Sequence, residues 1–166
     1  MKYENPTIVV YKVNKKNNML KEEIPFGDFS DPEKRQILYD FFMEGCEKYQ
    51  GIGISANQLG LRERAFLAQG KMYFNPKILS YSEETIISPE GCLSFPDVKA
   101  NVKRHQSIEV EYMDINGDMI TEELFDMDAI VFQHEYDHIT GMTISDRIPS
   151  NLLTKKFFKK YKNSKF

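Results

Sequence analysis

The spacing of apolar residues changes several times along this chain, and each change marks an element. A stretch that opens at "SDPEKR" carries Ile37, Leu38, Phe41, Phe42 and Tyr49 at the three-to-four spacing of one helix face. Ser30 or Asp31 is placed to cap that helix, Pro32 suits its first turn and Gly51 its end. Upstream, residues 1–30 are loosely patterned, with one short β-like run from Thr7 to Val13. From Arg64 to Ser88 come short runs rich in β-formers: "RAFLA", "KMYF" and "TIIS". The stretch "SIEVEYMDINGDMITEEL" alternates at Ile108, Val110 and Tyr112, and Asn116-Gly117 supplies a hairpin turn. Helical spacing then returns. Met127, Ile130, Val131, His134 and His138 lie on one stripe, with Asp126 as N-cap and Gly141 as stop. A last helix starting near Ser150 puts Leu153, Phe157 and Tyr161 on one face.

This order predicts an α+β fold: antiparallel β-strands packed around a central helix, with one helix in the N-terminal half and one at the C-terminus. No repeat, low-complexity segment or linker divides the sequence, so residues 1–166 are expected to form a single domain. Hydrophobic residues make up 41 % and charged residues 28 %, the balance of an ordinary globular protein. No apolar run approaches the roughly 20 residues of a membrane span, and the first residues lack a signal-peptide pattern. Cys46 and Cys92 make no disulfide framework, which points to a reducing cytoplasm. The formal net charge of −3 is uneven. Residues 151–166 hold six Lys and no acid, leaving 16 basic against 25 acidic residues before them.

The chemistry is concentrated in "QHEYDH", residues 133–138. With three histidines in the chain, H-E-x-x-H should arise by accident in about one such sequence in two hundred. Its histidines continue an apolar stripe and should point inward, where unpartnered imidazoles are costly. The i, i+4 spacing brings His134 and His138 to one metal ion, with Glu135 close enough to move a proton to or from water there. A catalytic site needs a third ligand. His105 opens a polar strand beside Arg104 and reads as an exposed histidine. Cys92 is better placed, within "SPEGCLSFP", where glycine and two prolines favour irregular backbone and a thiolate makes a strong soft ligand. Cys46 lies within an amphipathic helix and reads as a small buried hydrophobe. A further segment, "GIGISANQLG" at 51–60, offers backbone that can approach a ligand closely, and the Gln58 amide as a donor.

These three stretches, Gly51 to Gln58, Glu90 to Ser94 and Gln133 to His138, resemble the peptide deformylase family, which is marked by G-x-G-[I/L]-x-A-x-Q, E-G-C-L-S and Q-H-E-x-x-H in this order. "FNPKI" at 74–78, Arg104 and "HITGMTISDR" extend the likeness, which covers about residues 35–148. Ser55 stands where the family usually has alanine, and Lys99 where many relatives have an arginine that helps to hold the peptide. The first thirty residues match poorly.

The resemblance implies removal of the formyl group from formyl-methionyl nascent peptides. It implies Cys92, His134 and His138 as ligands of one divalent metal, Fe2+ in the cell, with Zn2+ or Ni2+ also held in isolated protein. Glu135 becomes the proton carrier, and Gln58 and the backbone N–H of Leu93 the oxyanion donors. Gly51, Ile52, Gly53, Glu90, Gly91, Ile130, Val131 and Lys99 are expected to contact the substrate. A weak ribosome contact through the C-terminal lysines is expected too, with no membrane or DNA partner. Two rival readings are an H-E-x-x-H metallopeptidase and an inactive, metal-stabilised peptide-binding module. Intact Glu135 and Gln58 argue against the second.

Overall fold

The first helix, α1 (Pro32–Tyr49), starts where its sequence places the cap: Asp31 is extended and its carboxylate accepts the N–H of Glu33. Leu38, Phe41, Phe42 and Cys46 are buried, whereas Ile37, at the margin of the stripe, is exposed. The left-handed residue that ends the helix is Gln50 (φ 54°), and the N–H of Gly51 then bonds the carbonyl of Cys46. Gly51 is therefore not the capping residue expected; its lack of a side chain serves the Leu93 side chain instead, as a Cβ there would lie 2.9 Å from Leu93 Cδ1. The structure is a computed structural model and describes residues 3, 5–9 and 19–148. Residues 7–9 are irregular; the rest of the run to Val13 and the helix expected from Ser150 lie outside the described residues.

Among the described residues seven strands follow α1: β1 (Gly53–Ser55), β2 (Ala65–Ala68), β3 (Lys71–Tyr81), β4 (Thr85–Cys92), β5 (Phe95–His105), β6 (Ser107–Met113) and β7 (Met119–Phe125). They form two antiparallel sheets, one of five strands in the order β1-β2-β3-β6-β7 and a separate β4-β5 ribbon. The helix α2 (Asp126–Ile139) packs on one face of the larger sheet, where Phe66, Tyr73, Ile108, Val110 and Tyr112 meet Val131 and Phe132. The alternate positions Ala65, Leu67, Met72 and Phe74 meet Leu38, Phe41 and Phe42 of α1 on the other face. Side chains alternate along a strand, so β2 and the start of β3, covered on both faces, read as unbroken apolar runs. Beyond the reach of α1, strand β6 turns Glu109 outward and keeps the period of two.

One local expectation holds and one is corrected. Asn116-Gly117 lies in the turn of the β6-β7 hairpin as expected, within a five-residue loop between paired Met113 and Met119. Asp114 accepts the N–H groups of Asn116 and Asp118 there, and a Cβ on Gly117 (φ 87°) would lie 2.8 Å from Arg35 Nη2. Asp126 is the first residue of α2 rather than its cap; Phe125 takes the cap position without a side-chain bond. Gly141 (φ 81°) follows the end of α2 as expected. A four-residue helix, α3 (Ile144–Arg147), was not expected; it opens with a Thr143/Asp146 capping box and packs Ile144 against Phe95 and Val102 of β5.

Candidate metal and catalytic site

The segment "SPEGCLSFP" is more regular than its glycine and prolines suggest. It forms the end of β4, a bulge at Gly91/Cys92, a tight turn at Leu93-Ser94 and the start of β5. Each strand of a two-stranded ribbon has a free edge, which is where Pro89 is tolerated. The bulge and turn leave the Cys92 thiol facing α2. Its Sγ lies 3.3 Å from His138 Nε2, and one donor atom each from Cys92, His134 and His138 lie within 4.8 Å of one another. His134 gives its Nδ1 to Glu90 Oε1 at 2.8 Å, which leaves Nε2 for the cluster. One soft thiolate and two imidazoles, with the second ring nitrogen of His134 held by a carboxylate, fit a tetrahedral site for Zn2+ or Fe2+. His105 lies outside this cluster, its Nδ1 2.7 Å from the Ser82 carbonyl, and it is half-buried against Tyr81 rather than exposed as its polar strand suggested.

The electrostatics separate the two histidines. Burial alone would lower His134, but hydrogen bonds to Cys92 and Glu90 and the charges of Glu135 and Cys92 hold it well above an ordinary imidazole. His138 lies well below, through burial first and then the positive charges of His134 and Arg104. Both oxygens of Glu90 are occupied by Arg104, at 2.9 and 2.7 Å, in addition to the His134 contact. These bonds outweigh burial and pull Glu90 down to about 2. Glu90 borders the cleft, but with its carboxylate taken it holds His134 rather than presenting a free group to a ligand.

Glu135 is 4 % exposed and burial pushes it up to about 7, with His134 pulling down and Glu90 pushing further up. Its Oε2 has no hydrogen-bond partner among the described residues. Gly53 makes this placement sterically feasible, since a Cβ there would lie 2.7 Å from Glu135 Oε1. Gly53→Ala is accordingly expected to displace the carboxylate and lower turnover by roughly 10²-fold, the scale of an ångström-sized misplacement, with metal content unchanged. Turnover and metal analysis of the purified variant check this; wild-type turnover would show that the crowding is absorbed elsewhere.

Gln58 sits in a 3-10 turn (Asn57–Leu59) after β1. Its Oε1 faces the Ser55 N–H at 3.1 Å and the Ser55 hydroxyl at 3.2 Å. The amide is thereby turned so that Nε2 donates to Ser94 Oγ at 3.1 Å and points at Cys92 Sγ at 3.5 Å. Asn57 accepts the Ser55 hydroxyl and donates to the His138 carbonyl at 2.6 Å, tying the turn to the end of α2. The motifs by themselves assign no role to Ser55, Asn57 or Ser94; only their proximity to Gln58 and Cys92 in sequence hints at one.

These groups open on a cleft of about 510 Å³. Gly51, Ile52 and Gly53 border it from the segment before β2, Gly91, Leu93 and Lys99 from the ribbon, and Ile130 and Val131 from α2. His138, 1 % exposed, lies behind it. Two apolar residues at its border, Ile52 and Met127, are 65 % and 55 % exposed, and Met127, read from sequence as part of the inward stripe, belongs to this mouth. The geometry suits hydrolysis of a small carbonyl group carried on an apolar residue: a metal-capable cluster, a buried carboxylate with a free oxygen, and an amide donor converge on one end of the cleft.

Known proteins resemble this chain both in sequence and in fold. The profile of the polypeptide deformylase family matches residues 7–153, further toward both ends than the motifs alone suggest. A peptide deformylase of Thermotoga neapolitana is 39 % identical over 132 residues, covering 77 % of this chain and 79 % of the relative. The crystal structure of Thermotoga maritima peptide deformylase superposes with a TM-score of 0.75 at 33 % identity, over 86 % of this chain and 99 % of that one. Arabidopsis thaliana peptide deformylase 1B, solved with an inhibitor, gives 0.79 at 33 % identity, over 89 % and 84 %.

Proposed function

Since the chain belongs to the peptide deformylase family and is a metal-dependent hydrolase that removes N-terminal formyl groups, we propose the residues by which it does so. Cys92, His134 and His138 hold one divalent metal, Fe2+ in the cell, with Zn2+ or Ni2+ able to occupy the same donors. When bound, the metal supplies Lewis acidity toward water and the formyl oxygen. Glu90 fixes the ring of His134 through Nδ1. Glu135, near 7 and with a free oxygen, is available in both protonation states at neutral pH. It takes a proton from the attacking water and returns one to the leaving amine. Gln58 Nε2 and the backbone N–H of Leu93 donate to the developing oxyanion, each such donor typically contributing about 3 kcal/mol. Ile130 and Val131, with Ile52, receive the methionine side chain. Gly51, Gly53 and Gly91 let backbone lie close to the peptide, and Lys99 presents a point charge where a guanidinium would present a planar fork.

The observation that carries this reading is the convergence of the three donors with the Gln58 amide, 3.5 Å from Cys92 Sγ, and with a buried Glu135 whose Oε2 has no hydrogen-bond partner among the described residues. Formate release from formyl-Met-Ala-Ser should be rapid, stop with chelator and return with Fe2+ or Zn2+. Acetyl-Met-Ala-Ser and an internal peptide bond should be left intact. Cleavage of the internal bond instead would favour the metallopeptidase reading, and no turnover at all the binding module.

We place the enzyme in the cytoplasm, acting as one catalytic domain on nascent chains; among the described residues no helix is long and apolar enough to cross a membrane. The six lysines of residues 151–166, on an otherwise acidic chain, support a weak contact with ribosomal RNA phosphates. Neutralising Lys155, Lys156, Lys159 and Lys160 should weaken co-sedimentation with ribosomes at low salt and leave small-peptide turnover unchanged. Undiminished co-sedimentation would reduce these lysines to a solvated face.

A further inference from the structure

Asp137 and Arg147 take no part in the reaction described above, yet they end a chain of charges that begins on a metal ligand. From His134 Nδ1 the chain runs to Glu90, and from Glu90 to the Nε and Nη2 of Arg104. Arg104 Nη1 then reaches Asp137 Oδ2 at 2.6 Å. Arg147 closes it with two bonds, Nε to Asp137 Oδ2 at 3.0 Å and Nη2 to Asp137 Oδ1 at 2.7 Å. The side chains of Glu90, Arg104 and Asp137 are 6, 3 and 8 % exposed, and that of Arg147 is 39 %. Two buried carboxylates thus face two guanidiniums, one buried and one at the surface.

Without Arg147, Glu90 and Asp137 would divide a single guanidinium between them. Arg104 already gives two nitrogens to Glu90 and one to Asp137, so it stands between two acceptors that compete for its orientation. Arg147 balances that competition by engaging both Asp137 oxygens from the other side. A planar fork does this with fixed geometry, whereas an ammonium cannot reproduce both bonds. Arg147 belongs to α3, whose place is set by the Thr143 capping box and by Ile144 in the small core against β5. We propose that Arg147 is a positioning residue for the metal centre: it holds Asp137, and through Arg104 and Glu90 it fixes the imidazole of His134. This rests on the reading of His134 as a metal ligand. The groups that fix a ligand's second nitrogen matter to metal affinity nearly as the ligands do, with typical losses of roughly 10–100-fold.

The test uses the full chain loaded with Zn2+ and follows transfer of Zn2+ to excess chromogenic chelator. Arg147→Gln should speed release about 10–100-fold. Arg147→Lys, which keeps the charge but not the fork, should fall between it and wild type. In the loaded enzymes kcat should drop while KM for formyl-Met-Ala-Ser stays, because no group of the chain beyond Glu90 borders the cleft. Lys21→Gln removes a second ion pair of α3, Lys21–Asp146, without touching these charges, and should release Zn2+ at the wild-type rate. Equal acceleration by Lys21→Gln would mean general loosening of α3 and overturn the proposal. So would wild-type release from both Arg147 variants. Failure of the wild-type protein itself to bind Zn2+ would instead sink the metal-site reading on which the proposal rests.

Discussion

Glu135→Gln is expected to lower turnover of a formyl peptide by roughly 10²–10⁴-fold while the variant keeps its metal. The substitution preserves shape and one acceptor, and Glu135 is separate from the three-donor cluster, so only proton transfer is removed. A variant that retained most of its activity would take Glu135 out of the mechanism. The same change should stabilise the metal-free protein. Burial holds Glu135 near 7 in the folded state against an ordinary 4.5, so the folded form binds this proton more tightly than the unfolded one. Stability therefore falls as pH rises from about 4.5 to about 7 and is level in this respect above it. Gln has no such dependence. The advantage of the variant in thermal unfolding should be small at pH 5 and largest near pH 8; a constant difference would show that Glu135 is not held up by burial.

Cys92→Ser should cost more in metal affinity than any outer partner does, beyond roughly 100-fold, and abolish most turnover, because an alcohol at neutral pH is neither ionised nor soft. Cys46→Ser is the control. Its thiol is buried and pushed up to about 12, by desolvation first and then by the charge of Glu135, so it is unreactive and replaceable at a modest cost in stability. Metal analysis and turnover should therefore separate the two. Equal effects from both substitutions would contradict the assignment.

Where one short stretch carried a strong helical period, the sequence was readable. Asp31, Pro32 and the Leu38/Phe41/Phe42 stripe define α1, and the stripe ending in His134 and His138 defines α2. The alternation in β6 is equally plain, because its outward face meets water. Pairing was not readable. Nothing in β4 and β5 marks them as a ribbon apart from strands of similar composition, since partner choice is decided by neighbours distant in sequence. The site divides the same way. Cys92, His134, Glu135 and Gln58 lie within short motifs, whereas Asp137 and Arg147 look like ordinary surface charges until folding sets them beside Arg104. Gln50 and Asp126, with φ of 54° and 49°, take the left-handed region without being glycine and so leave no composition signal.

The donors come from two different pieces of architecture, Cys92 from the ribbon and the histidines from the helix under the larger sheet. Cys92 and His138 are 46 positions apart in the chain. An ion shared between them therefore acts as a cross-link that closes a long loop, and chain-entropy arithmetic for such a loop gives about 4 kcal/mol of stabilisation. The ribbon is held otherwise by the small core of Phe95, Val102, Ile144 and Ile148 and by the bonds of Glu90 to His134 and of Arg104 to Asp137. Stripping the ion should thus loosen the β4-β5 hairpin ahead of the rest of the fold, and its amides should lose hydrogen-exchange protection while those of β2, β3 and β6 keep theirs.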